Sequence, residues 1–439
     1  MQPHPNLKIR FSSPGSGFSG NAVNSAMHRR NALISYCAED GSVFQFSGWY
    51  DAGGHIWLAM RKNDGAWVST DSGFRNSISD AHNSLAIAVD GRGCLHAAWC
   101  RHDHPLHYAA APQPLSLKLE ERHFPGSREA HVTYPEFFIQ STGDLILLYR
   151  RGSSGNGDIL LDRYDCRSER WVRLHDRLID GESRMSPYWQ ACLDHSDRLH
   201  ISWCWRDTSD ASTNHDICYL RSTDASCTAF EDAAGKPVHL PCSCSFDPAV
   251  RIPTGQSLVN QTAMTADKEG NPVIISMWGN GDDFDYRILR FDKEAWNVYS
   301  LGRRPSHSAF SGKGTLDLSF ARPEILSADD GFLLILRDQS SGQSACLLPC
   351  RFENGRLFTE DPVPLMSGPL GVWEPLYDPV RWRSLGILSL FIQKQSYSRD
   401  ISWRRPLRMI FSLMKQTDRT SPIHIADIRF DMPEKEEYI

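Results

Sequence analysis

The chain has 439 residues and no apolar run long enough to cross a bilayer. Its longest clean run lies near residues 385–392, against the roughly 20 residues a spanning helix needs. Residues 1–10 contain no apolar signal-peptide core. The expected compartment is the cytoplasm, or a secreted or periplasmic one if a leader has been removed. Basic charge is not in excess: 47 Lys and Arg stand against 53 Asp and Glu, a net charge of −6. That argues against a nonspecific nucleic-acid binder, which would be basic overall. It leaves room for an anionic ligand, because a local basic cleft focuses potential against the net charge. Strong helical periodicity is nearly absent, which argues against a helical bundle. Paired metal-ligand spacing is missing too. Cys242-Ser-Cys244 has no matching Cys/His partner, so no metal ligands are assigned. Among the 12 cysteines, Cys37, Cys94, Cys100, Cys192, Cys204 and Cys218 fall in or beside strand patterns, as small apolar residues do.

What is present is a repeat. Hydrophobic residues at 41% and charged residues at 23% are ordinary for a globular protein, but 13 tryptophans recur at similar places. One unit recurs: an apolar strand, an Asp/Gly turn, a second strand often ending in an aromatic, a third strand and a loose fourth. Copies are read at 31–61, 84–122, 134–171, 188–220, 261–291, 323–348 and 374–430. The turn-to-turn spacing of roughly 45–60 residues predicts an all-β, seven-bladed β-propeller. The whole of residues 1–439 is expected to form one such domain. Residues 7–11 are expected to add a strand to the last blade, so that no sheet edge stays open. Residues 69–74 and 222–226 read as degenerate Asp-box hairpins, which are turn chemistry. Residues 401–415 read as a basic amphipathic helix inserted in the last blade, packed on the rim.

Propellers bind ligands where strand ends converge on the axis. His82 stands at the start of the strand Leu85–Val89. His102 stands just past the end of Leu95–Trp99. Asp90-Gly-Arg-Gly93 turns between those strands, so antiparallel pairing brings the two imidazoles to one end. Tyr134 and Arg150 repeat that placement one unit later, and Tyr188, Arg206 and Asn260 follow in the next units. Asn83 and His104 flank the histidines. No close Asp/Glu pair stands out, whereas a glycoside hydrolase normally needs two carboxylates across the bond. A cation, a phenol and imidazoles suit β-elimination from a uronic acid instead. An arginine neutralises the carboxylate, one group takes the C5 proton, and another protonates the departing C4 oxygen.

The His82-Asn83 start, the His102-Asp-His-Pro-Leu-His-Tyr108 run, Thr133-Tyr-Pro-Glu-Phe-Phe138 and the Gly152-Ser-Ser-Gly-Asn-Gly-Asp158 loop resemble the BNR-repeat polysaccharide lyases. That group includes seven-bladed ulvan lyases and rhamnose–glucuronate lyases. The likeness is densest over residues 21–205. It implies a lyase acting on an anionic glycan that contains glucuronate linked to rhamnose, with a C4=C5 unsaturated product. It assigns catalysis to His82, His102, Tyr134 and Arg150, and substrate contact to Tyr188; Asn83, His104, Arg206 and Asn260 are expected to contact substrate from their places at the same strand ends. Which of His82, His102 and Tyr134 is acid or base stays open. The chemistry implied requires no cofactor. Some relatives carry structural calcium or zinc, for which no ligands are assigned here. The implied state is a monomer with neither a nucleic-acid partner nor a membrane span. Arg101 departs from the pattern, which has His there. Two alternatives stay open: a propeller α-L-rhamnosidase releasing rhamnose capped on glucuronate, which would turn attention to His28, Tyr50 and His55, and a non-catalytic glycan-binding propeller. Arg251-Ile-Pro253 resembles a sialidase arginine motif but lies mid-chain.

Overall fold

The computed structural model describes residues 7–26, 31–124, 129–302, 310–316, 318–329, 331–395 and 419–430. The expected helix at 401–415 and His28 lie outside the described residues. Seven small antiparallel sheets follow one another around a ring, so the fold is a seven-bladed β-propeller. Blade 2 shows the standard unit: Leu85–Val89, Leu95–Trp99, His107–Ala110 and Glu120–Arg122, hydrogen-bonded in that order. Its first two strands match the sequence reading residue for residue.

Burial falls from the axis outward. Every residue of Leu85–Val89 and Leu95–Trp99 is buried, and every residue of Glu120–Arg122 is exposed. The continuous apolar runs therefore belong to inner strands covered on both faces by neighbouring blades. Large side chains fill those inter-blade layers, including Trp189, Trp203 and Trp205, each almost wholly buried. Truncating one such residue to Ala typically costs about 3–5 kcal/mol.

An aspartate turn recurs between the first two strands. The Oδ1 of Asp90, Asp194 and Asp267 each accepts two backbone N–H bonds, from the residues two and four positions on. In blades 2 and 4 the second strand then carries a buried histidine. His96 joins Asp90 to the Tyr108 hydroxyl, and His200 joins Asp194 to the Tyr219 hydroxyl. Trp171 and Trp296, each from the next blade, meet Tyr108 and Tyr219 edge-on. The repetition identifies these buried polar clusters as inter-blade packing.

Blade 7 departs from the unit. Among the described residues it has three strands in the order Leu7–Phe18, Thr420–Phe430, Leu388–Gln393, and Leu7–Phe18 pairs along its length apart from a bulge at Ser13-Pro14. The closing strand is thus longer than the expected residues 7–11. An inner strand is reduced to a single bridge, Tyr377 to Leu390, followed by the helix Pro379–Leu385. Asp378 caps that helix and accepts from Ser35 and Gln45 of blade 1. Arg61 of blade 1 pairs with Asp427 of blade 7 at 2.6 Å. These buried bonds tie the last blade to the first. Residues 69–74 lie within the outer strand Val68–Arg75 and do not form a separate hairpin.

Candidate active site

A cavity of about 380 Å³ opens where the inner strands begin. Its wall includes Asp80, His82, Tyr134, Tyr188, Arg206, Asn260, Arg322 and Glu374. A larger cavity, about 930 Å³, lies where those strands end, lined largely by apolar groups such as Phe137, Leu326 and Trp382. The chemistry-bearing residues gather at the smaller one.

His82 and His102 meet as expected, stacked with ring centroids 4.8 Å apart and 16° between planes. Asp80, which the sequence reading left unassigned, holds both. Its Oδ1 lies 2.6 Å from His82 Nδ1 and its Oδ2 lies 3.5 Å from His102 Nδ1. On the other side of His102, Nε2 faces Arg150 Nη2 at 3.3 Å. A guanidinium only donates, so Nε2 must accept and Nδ1 must carry the proton toward Asp80. Burial holds the His82 imidazole below its ordinary value, in its neutral form, although Asp80 opposes that shift. Asp80 itself lies well below the carboxylate range: burial alone would raise it, but bonds from His102 and His82 prevail. Asp80, His82 and His102 bring ligand atoms within 4.8 Å of one another. Ligands 2.0–2.1 Å from a tetrahedral zinc stand about 3.3 Å apart. The 2.6 Å contact between Asp80 and His82 is a hydrogen bond, so the trio as placed does not fit such an ion.

Tyr134 reaches the wall through a backbone irregularity. Thr133 pairs with Arg150 and Glu136 with Leu148, so Tyr134-Pro135 forms a bulge. Tyr134 has φ +61°, a strained conformation for a bulky residue. Bulges re-aim side chains, and this one places the ring 5.9 Å from His82 and 6.2 Å from Tyr188. Tyr134 therefore sits inside the strand Val132–Ile139, whereas the sequence reading placed it at the strand's start. Arg150 likewise lies inside Leu145–Ser153.

Arg150 is completely buried, beneath the rings of Tyr134 and Tyr188 at 5.0 and 5.1 Å. Among the described residues its Nε and Nη1 have no hydrogen-bond acceptor. Arg206 lies on the cavity wall, its guanidinium carbon 4.1 Å from the centroid of the Tyr188 ring. Its bonds run to two neutral amides, Asn214 and Asn260, both at 2.6 Å. Among the described residues neither arginine has a carboxylate within 4.0 Å. The two carboxylates on the wall are both engaged: Asp80 with the histidines, and Glu374 with Arg322 at 2.9 and 3.0 Å.

The expected substrate contacts divide. Tyr188, Arg206 and Asn260 line the cavity. Asn83 does not; its amide joins the Ser77 carbonyl to the His102 N–H at 2.9 and 2.8 Å and so fixes the two histidine segments. His104 is exposed and turned to the His102 carbonyl at 2.9 Å. Asp80 was legible in principle, since a carboxylate two residues before a histidine can cap its Nδ1. The glycine-rich loop also gains a reason. A Cβ on Gly157 would stand 2.7 Å from Ser186 Oγ and 3.0 Å from Arg150 Cδ. Tyr50 and His55 of blade 1 bond to Asn76 and Asp71, away from this wall. Arg251 pairs with Asp247 on the surface. None of the twelve cysteines is in a disulfide.

No curated protein sequence matches the chain. Among solved structures, the polysaccharide lyase Uly1 is similar with TM-score 0.66 at 12% identity, covering 96% of this chain and 99% of that one. The PL25 ulvan lyase bound to -[GlcA(1-4)Rha3S]- is similar with TM-score 0.64 at 14% identity, covering 88% and 94%. At such identities the likeness establishes the shared propeller. A profile described as a BNR repeat-containing family member matches residues 44–304, well over half the chain. Together with the seven-bladed ring, that match places the chain in the BNR repeat-containing family.

Proposed function

We propose that the chain is a polysaccharide lyase that cleaves a uronate-containing glycan by β-elimination, with glucuronate linked to rhamnose as the unit recognised. One observation carries the reading. Arg150 and Arg206, without carboxylate partners, lie against the wall that holds the imidazoles and phenols, while Asp80 and Glu374 are both tied up. A hydrolase needs one protonated carboxyl and one carboxylate free to act across the bond. A lyase needs a cationic site for the uronate carboxylate, so that charge building at C5 is stabilised as its proton leaves. The C5–H electron pair becomes the C4=C5 bond, the C4–O4 bond breaks, and O4 takes a proton from the wall. Burial pushes the Tyr134 phenol up, which keeps it protonated and suits it to donate. The imidazoles fix Arg150 through His102 and line the wall through His82. No step calls for a cofactor. The similar structure bound to -[GlcA(1-4)Rha3S]- supports this choice of sugars. A closed ring leaves no inner sheet edge to recruit another copy, which favours a monomer.

The test is incubation with uronate-containing glycans, followed by ultraviolet absorbance and product analysis. Unsaturated uronate ends are expected. Saturated products with free rhamnose would replace the lyase by a rhamnosidase, and binding without cleavage would leave a glycan-binding module.

A further inference from the structure

We infer that Tyr188 is the group that accepts the C5 proton, standing as a phenolate between Arg150 and Arg206. The inference rests on the lyase reading but assigns Tyr188 a role that its motif position does not suggest. Tyr188 lies in the first strand of blade 4, Ser186–Leu193. Arg150 reaches one face of its ring from the second strand of blade 3, with the guanidinium carbon 5.1 Å from the centroid. Arg206 covers the ring at 4.1 Å from the second strand of its own blade. The phenol oxygen lies 2.6 Å from the Ser154 hydroxyl. Among the described residues the remaining titratable neighbour in ring contact is Tyr134, at 6.2 Å.

Charge balance then points to Tyr188. Arg206 bonds to two neutral amides, and Arg150 to His102 Nε2 and the Thr133 hydroxyl. Asp103 acts on Arg150 only at longer range and is itself 3.3 Å from His131. Two buried cations without an anion are costly. The titratable group touching both of them is the Tyr188 phenol. Burial opposes its ionisation, yet the two guanidiniums and the Ser154 hydroxyl outweigh burial and bring it below its ordinary value. Tyr134 moves the opposite way: burial raises it, and a charge on Tyr188 raises it further. Two phenols pushed apart by their surroundings mark an acceptor and a donor.

The step balances without a further reactant. The C5 proton goes to the Tyr188 oxygen and the C5–H pair forms the C4=C5 bond. The C4–O4 bond breaks with its electron pair on O4, which takes the Tyr134 proton. Tyr134 then recovers a proton and Tyr188 releases one, so the resting charge returns to the site between the guanidiniums.

The deciding measurement is a phenolate difference titration in the ultraviolet, without glycan, of the wild-type protein against Tyr188→Phe. The wild type should show one phenolate forming at lower pH than the other tyrosines, and Tyr188→Phe should lose that step. Arg206→Gln should weaken the ionisation at least tenfold, an independent check should Tyr188→Phe fold poorly. Tyr188→Phe should also lower kcat about 100-fold or more, with KM changed only a few-fold. Identical titrations of wild type and Tyr188→Phe would overturn the assignment, as would a kcat within threefold of wild type. An early phenolate step in a protein that forms no unsaturated product would reject the lyase reading and the proton transfer with it, while leaving the charge on Tyr188 established by the titration.

Discussion

Arg150→Met separates what the guanidinium does for the fold from what it does for the reaction. The side chain is wholly buried, and Nε and Nη1 lack acceptors among the described residues. Each such buried donor costs about 1–3 kcal/mol. Against that stand two cation–ring contacts, at 5.0 and 5.1 Å, each contributing about 0.5–2 kcal/mol. The bonds from Nη2 to His102 and Thr133 are long, 3.3 and 3.4 Å, and add little. The opposing contributions are similar in size. Methionine fills most of the volume, so unfolding free energy should stay within about 3 kcal/mol of wild type. Arg150→Ala should lose about 2–5 kcal/mol more through the cavity it leaves. Activity should respond differently. Loss of one preorganised charge-stabilising group costs roughly 100- to 1,000-fold in kcat. Arg151→Ala is the control, because successive side chains alternate in direction and Arg151 is partly exposed, 3.5 Å from Asp158. Thermal melts and initial rates on a uronate glycan measure both properties. A stable Arg150→Met with kcat within threefold of wild type would refute the electrostatic argument. A large loss of stability in the same variant would refute the claim that the buried charge is poorly satisfied.

Asp80→Asn removes the anion that holds both imidazoles and should lower kcat on the order of tenfold, the scale of one charge-assisted hydrogen bond, with the melting temperature little changed; unchanged kinetics would make the Asp80 contacts incidental. Gly157→Ala should reduce activity by pushing on Ser186 and Arg150, and a fully active, equally stable variant would show that the strands yield without cost. Stability should fall between pH 7.5 and 5.5. Burial depresses His82, His96 and His200 in the folded state, so below the ordinary histidine value the unfolded chain binds protons that the folded chain does not. Each histidine can contribute up to about 1.4 kcal/mol per pH unit in that window. His96→Gln and His200→Gln should flatten the melting-temperature profile, and a flat wild-type profile would contradict the neutral assignments.

The sequence displayed the repeat because inner propeller strands are short, apolar and bounded by Asp/Gly turns. That is why Leu85–Val89 and Leu95–Trp99 are legible to the residue. Elsewhere alternation says which residues are buried but not where pairing stops. Arg150 reads as a strand end, yet pairing with the next strand, out to Ser153 with Asn156, carries it three residues further. The bulge at Tyr134 has no signature in hydrophobic pattern, although Pro135 restricts the residue before it. The reduction of the inner strand in blade 7 was also illegible, since the last copy reads as starting at residue 374 like the others and the helix that follows has only seven residues. At the site, proximity was predictable from the topology, but commitment was not. Which polar groups are already bonded depends on side-chain direction. For that reason Asn83 read as a ligand contact although it bridges two backbone segments, and Asp80 was passed over.

That distinction also governs the choice between hydrolysis and elimination. Composition places more acid than base in the chain, with a net charge of −6, and two carboxylates stand on the cavity wall. Counting charges would therefore favour an acid-pair enzyme. Bonding reverses the conclusion. Glu374 is spent on Arg322, at 2.9 Å, and Asp80 on two imidazoles. Arg150 and Arg206 bond to neutral groups and share only the Tyr188 phenol, so even with that phenol ionised one of their two positive charges is left over. In a largely buried site such charge is poorly screened, and it acts on a ligand more strongly than surface charge several times as numerous. An incoming uronate meets a net positive charge and carboxylates that have no role left to play as acid or nucleophile. Replacing the uronate carboxyl by a hydroxymethyl group should abolish that advantage. A glycan so reduced should bind at least tenfold more weakly to the wild-type protein, and the difference should shrink in Arg206→Gln. Equal affinity for the acidic and reduced glycans would mean that the two guanidiniums serve the protein and not the ligand.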